Sequence, residues 1–166
     1  MGVGRTLCLM TALFLACSSG VSAESQLPKR GTYEVRFFWQ ASGKWSQVEA
    51  DHSLWVGEFN GTFFNDTGQG FFHRASGVCP GARDVVKDLT NAHGNCVITD
   101  EDGDTASLVW KCRGSERCEG EAEFLGGTGK YTGLTGRSTV YGVPRLRADP
   151  DGSTGYAVFK GAWQLP

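Results

Sequence analysis

Histidine is scarce in this chain and helical periodicity is missing from it. Only three histidines, His52, His73 and His93, stand among 166 residues, and none neighbours a plausible Ser or Cys nucleophile in sequence. Hydrolysis by a His-assisted nucleophile therefore has no local signature. Beyond the first residues, no segment keeps apolar side chains at three- and four-residue spacing over three turns, which excludes helical bundles and α/β folds. There is no C-x-x-C, and the five residues between Cys112 and Cys118 include no His, so zinc has no ligand framework. The formal net charge is −2 and the charges are scattered. Nucleic acid and an anionic membrane surface are disfavoured as partners, because either wants a clustered basic face. Gly127-Thr-Gly-Lys130 lacks the spacing and the following helix of a phosphate-binding loop. No cofactor and no metal is implied.

What is present begins with an export leader. Arg5 precedes an apolar stretch of 11 residues (7–17) and the small residues Val21-Ser22-Ala23. That stretch falls short of the about 20 residues a membrane span needs. Cleavage after Ala23 is expected, leaving residues 24–166 as one domain in the periplasm or medium. Lipidation at Cys17, within Leu15-Ala16-Cys17-Ser18, is the rival. The remaining cysteines are Cys79, Cys96, Cys112 and Cys118. An even number in an exported chain points to two disulfides, and four cysteines allow three pairings. Spacing favours Cys79–Cys96 across the longest loop and Cys112–Cys118 around a short turn.

Strand patterning dominates the rest. Tyr33, Val35, Phe37 and Trp39 alternate with Glu34, Arg36 and Gln40, the signature of a half-buried strand. Ser42-Gly43-Lys44 reads as a turn before a weaker strand at 45–48. Residues 52–64 form a long aromatic strand with Gly57 and Gly61 as bend or bulge points. A turn at 65–70 leads to a returning strand at 70–78. Residues 79–95 are the one sizeable interruption, with one or two helical turns at 82–89. A hairpin joined at Asp100-Glu-Asp-Gly103 follows. In Asp100-Glu-Asp-Gly-Asp104 the glycine arrives too early, and Lys111 stands where a calcium loop needs its Glu, so the segment reads as a turn. Strands at 118–125, 138–141 and 156–165 complete the set, with Asp149-Pro-Asp-Gly152 as a further turn. Around eight short strands with glycine-rich turns predict an all-β, antiparallel, approximately eight-stranded barrel.

The densest glycine run is Gly126-Gly-Thr-Gly-Lys-Tyr-Thr-Gly-Leu-Thr-Gly136, in which Tyr131 and Leu134 are the side chains able to pin the connection to a core. With its flanks 121–125 and 138–141, it resembles the glycine-rich strand connection of the allene oxide cyclase-like and dirigent-like barrels. The closing Gly155-Tyr-Ala-Val-Phe-Lys-Gly-Ala-Trp-Gln-Leu-Pro166 is similar to the last strand of exported bacterial proteins of that kind. The resemblance implies a barrel of that type and carries no catalytic residue with it.

An eight-stranded barrel can be packed solid or hold one small ligand. Trp39, Trp55, Phe71, Trp110 and Tyr156 are candidate ligand-lining aromatics. Glu58 and His73 are the candidate acid–base residues, His73 because it alternates with Phe71 on an aromatic stretch. The first expectation is an exported, disulfide-stapled barrel that binds a small apolar or amphipathic molecule. The alternatives are an isomerase or cyclase using the cavity, and an envelope protein-interaction module with a filled barrel that grips through its 79–96 loop.

Overall fold

Alternation in β1 (Arg30–Glu49) puts Tyr33, Val35, Phe37, Trp39 and Ala41 on one buried face. The same period runs through β2 (His52–Asn65), β3 (Ser76–Val86), β4 (Leu89–Thr99), β5 (Thr105–Gly114), β6 (Cys118–Gly127), β7 (Thr135–Asp149) and β8 (Gly152–Gln164). Each strand pairs antiparallel with its neighbours in sequence, and β8 closes on β1, with Val35 opposite Phe159. The result is a closed, eight-stranded, up-and-down barrel, which leaves no sheet edge exposed. This computed structural model describes residue 2, residues 27–149 and residues 152–166. The expected leader, its cleavage site and Cys17 lie outside the described residues, as do two positions of the 149–152 turn.

The inward row is odd-numbered in β1 to β3 and β8 and even-numbered in β4 to β7. The switch at β3–β4 follows from a two-residue turn, Lys87-Asp88, between the paired Val86 and Leu89. Lys87 sits there at φ 56°, the left-handed backbone that tight hairpins demand.

One end of the barrel is sealed. The β2–β3 connection folds back under the strands and inserts Phe71 and Phe72 beside Tyr33, Phe63 and Phe124. Phe71 stacks on Trp163 with ring centroids 4.9 Å apart and planes within 4°. Burying each such ring contributes about 1.5–3 kcal/mol. The glycine run supplies the rest of the seal. A 3-10 turn at Gly129–Tyr131 leads β6 into β7 and buries Tyr131 and Leu134, as the sequence predicts.

Several local expectations are corrected. Ser42-Gly43-Lys44 is not a turn, because β1 runs straight through it paired with 56–58. Gly57 and Gly61 lie in regular register with both neighbours, so neither is a bend or bulge. Residues 82–89 contain no helix: the strands of a β3–β4 hairpin continue almost to its tip. Residues 70–75 form the sealing loop rather than a strand. In the first three cases local glycine or charge content suggested a break that cross-strand pairing and barrel closure override; at 70–75 the aromatic run suggested a strand, and its rings instead fold inward into the core.

Candidate functional site

The opposite end is open. Its lumen is a cup of about 980 Å³, floored by Phe37, Phe59, Phe159 and Val140. The walls carry Trp39, Trp55 and Trp110, and the rim carries Trp45, Lys87, Asp88 and Glu116. Four of the five tryptophans thus face this one space.

The cup stays open because its tryptophans lie flat on glycine. Gly43 and Gly57 are cross-strand partners, and the Trp55 ring covers both. Gly81 and Gly94 are likewise partners, and a Cβ at Gly94 would stand 2.8 Å from Trp110 Cζ2. Gly155 faces Trp39 across the β1–β8 pair, and a Cβ there would stand 2.7 Å from Trp39 Cη2. These separations are below ordinary carbon–carbon contact. A side chain at any of these glycines would meet both a ring and a backbone carbonyl of the facing strand, so the ring or the strand pairing would have to shift.

Both disulfides line the cup. Cys79–Cys96 joins opposed inward positions of β3 and β4, with Cα atoms 4.0 Å apart. Cys112–Cys118 ties the mouth of the β5–β6 hairpin, with Cα atoms 5.3 Å apart. The pairing is the one favoured from spacing. The first bridge, however, staples two long strands instead of closing a loop.

Among the described residues, one charge lies inside the cup below its rim. Arg83 stands on the inward row of β3, directly opposite Trp55 on β2. Its guanidinium carbon is 4.8 Å from the centroid of Phe59, 5.0 Å from Trp55 and 5.5 Å from Trp39. Contacts of this kind contribute about 0.5–2 kcal/mol. Sequence reading passed over Arg83. The signal was its odd-numbered place in line with Cys79 and Gly81, legible only once β3 is known to extend past residue 82.

The structure separates the sequence-predicted site residues. Trp39, Trp55 and Trp110 meet in the cup. Phe71 belongs to the seal at the other end. Tyr156 is on the even, outward row of β8, its ring 5.9 Å from Phe38 on the outer surface. Glu58 is on the outward row of β2, where Asn60 Nδ2 donates to its Oε1 at 2.6 Å. His73 lies in the sealing loop, its Nδ1 accepting from the Asn65 N–H at 3.3 Å. Neither Glu58 nor His73 is part of the cup lining. His52 faces Asp84 across β2–β3, with Nε2 and Oδ1 2.6 Å apart. His93 is exposed on β4 rather than held in a loop.

Lys111 holds Glu121 below the usual carboxylate range on the outer face of the barrel, and the other shifted ionisations gather at the sealed end. Burial raises the Tyr33 phenol to about 12, partly offset by the Ser138 hydroxyl. Lys130, from the glycine-rich connection, reaches the β4–β5 turn, where its Nζ is 2.7 Å from Asp100 Oδ2 and also contacts Asp102. Its backbone N–H donates to Asp104 Oδ2 at 3.0 Å. Burial pushes Asp100 up, but Lys130 and Tyr131 outweigh it and hold the carboxyl below its usual range. Burial pulls Lys130 down, and the two aspartates more than reverse that. This cluster fastens the seal and is remote from the cup.

No family model and no curated protein matches the sequence. In three dimensions the chain is similar to a solved structure described as the pterocarpan synthase dirigent protein GePTS1. The two share 10% identity over 94% of this chain and 100% of that one, with a TM-score of 0.53. At that identity the likeness is one of fold, and the fold is a dirigent-like eight-stranded barrel.

Proposed function

We propose that this protein binds a small, largely apolar or amphipathic molecule in the open half of its barrel, without chemical turnover, after export to an oxidising compartment. The observation that carries the reading is the aromatic cup itself. Its volume of about 980 Å³ falls at the upper end of the range usual for ligand pockets. Its glycine seats hold the rings against the wall and keep the centre clear. Among the described lining residues, Asp88 and Glu116 sit in the rim turns, and no carboxylate or histidine lies deeper. Arg83 stays protonated and is not a general acid or base. That chemistry suits retention better than proton transfer. A wall stapled by two disulfides suits an oxidising compartment.

The test is ligand carry-over measured by native mass spectrometry, combined with titration of N-phenyl-1-naphthylamine, a neutral apolar fluorophore, under tryptophan excitation. Saturable energy transfer at one probe per barrel is expected, because four tryptophans face the cup. Recovery of no small molecule, together with tryptophan emission that no lipophile alters, overturns the reading.

A further inference from the structure

We infer that the molecule held in the cup carries an anionic group, and that this group seats against Arg83 inside the lumen. The inference rests on the cup being a binding site and adds the ligand's charge and pose.

Three observations lead there. The first is depth. Arg83 is rooted near the mouth, but its guanidinium reaches Phe59, which pairs with Cys79 well below the rim. The charge is therefore inside the aromatic space. The second is what surrounds it. Phe59, Trp55 and Trp39 present ring surfaces around the guanidinium, an apolar setting in which a charge-assisted hydrogen bond to a ligand oxyanion is stronger than it is in water. The third is the chemistry of arginine. Its planar fork carries five N–H donors, more than one acceptor engages, and it matches two oxygens of a carboxylate or sulfonate. A ligand oxyanion can thus be taken beside the contacts Arg83 already makes within the protein. At the rim, by contrast, Lys87 adjoins Asp88, and Glu116 stands on the β5–β6 turn, so opposite charges share the mouth.

The pose follows. The ligand's acid lies at the Arg83 level, and its apolar body lies between the flat faces of Trp39, Trp55 and Trp110 and over the floor at Phe37 and Phe159. Ring faces on three sides favour a planar, aromatic or conjugated body. The ligand class is a compact anionic amphiphile.

A matched pair of probes tests this. N-phenyl-1-naphthylamine and 8-anilinonaphthalene-1-sulfonate share one apolar body and differ by a sulfonate. Their dissociation constants would be measured on the disulfide-intact protein and on Arg83→Met, which keeps an unbranched apolar stem. We expect the wild type to hold the sulfonate about tenfold or more tighter than its neutral twin. Arg83→Met should abolish that preference and retain the neutral probe, which also shows that the cup is still folded. Arg83→Gln is the substitute should the Met variant not fold. Equal affinities in the wild type overturn the inference while leaving the cup as a neutral-ligand site. A sulfonate preference that survives both substitutions overturns it as well, since the charge then lies elsewhere. Binding of neither probe overturns the inference together with the function it rests on.

Discussion

The two halves of this barrel obey one alternation rule and reach opposite outcomes. In the sealed half the inward positions carry Tyr33, Phe63, Phe124 and Trp163, and the connecting segments add Phe71, Phe72, Tyr131 and Leu134 from outside the strands. In the open half the large inward residues are tryptophans, but their neighbours are Gly43, Gly57, Gly81, Gly94 and Gly155, and none of the connections described there folds in to fill the centre. A barrel of eight strands leaves room that side chains just fill. Whether it becomes a core or a container depends on what stands beside each aromatic ring. Glycine lets the ring lie against the wall, and an inserted loop pushes more rings to the axis.

Substitutions that act on one half and spare the other sharpen the contrast. The largest effect is expected for Phe72→Ala, which empties the seal. Urea unfolding should show a loss of about 3–5 kcal/mol, and binding of an apolar probe to the folded protein should persist. A stability loss under 1 kcal/mol would mean the seal is not the core. Next is removal of one bridge at a time. Each disulfide is expected to contribute about 2–4 kcal/mol, and because both bridges line the cup, losing either should loosen probe binding along with stability. Unchanged probe affinity in folded protein lacking a bridge would show that the wall holds without it.

Lys130→Met should remove about 2 kcal/mol, with a distinctive pH dependence. The folded pKa of Asp100 lies below its unfolded value of about 3.9. Its contribution is therefore complete above about pH 4 and is lost as pH falls through the lower folded value. Lys130 is shifted upward, so its own contribution holds through neutral pH and disappears only as pH rises past its folded pKa. The variant should flatten the acid limb of the stability profile, and an unaltered acid limb would dissociate the clamp from the seal. Gly155→Ala, which crowds both Trp39 and the Val143 carbonyl of β7 at the open end, should weaken probe binding by about tenfold while leaving the seal intact. The smallest effects are expected outside the lumen: Glu58→Gln and His73→Ala should change probe affinity by less than about twofold, read in the same titration. A larger loss at either would bring the sequence-predicted acid–base residues back into the site.

Much of this frame was legible in the residues. The Tyr33–Trp39 alternation marks β1, the 126–136 run marks the connection between β6 and β7, and the even cysteine count leads to both bridges. The candidate site was legible only by half. Trp39, Trp55 and Trp110 are inward, but Phe71 fills the seal and Tyr156 looks outward. A strand pattern gives two faces without saying which is interior, and an aromatic on a loop carries no parity at all. Gly57 illustrates the same limit: in sequence a strand glycine signals a bend, and in the barrel it is the seat of a ring from its own strand and the partner of Gly43 on the next.

The sequence alone determined the secondary structure class, put the strand count near eight and supplied an even set of cysteines for two bridges, because these depend on period, turn chemistry and composition, which are local. Only the tertiary structure decided that one end is plugged and the other hollow, that Arg83 points into the hollow, and that Glu58 does not. Those outcomes depend on register, and register is fixed when β8 closes on β1: the pairing of residues more than a hundred positions apart sets which side chains share the lumen.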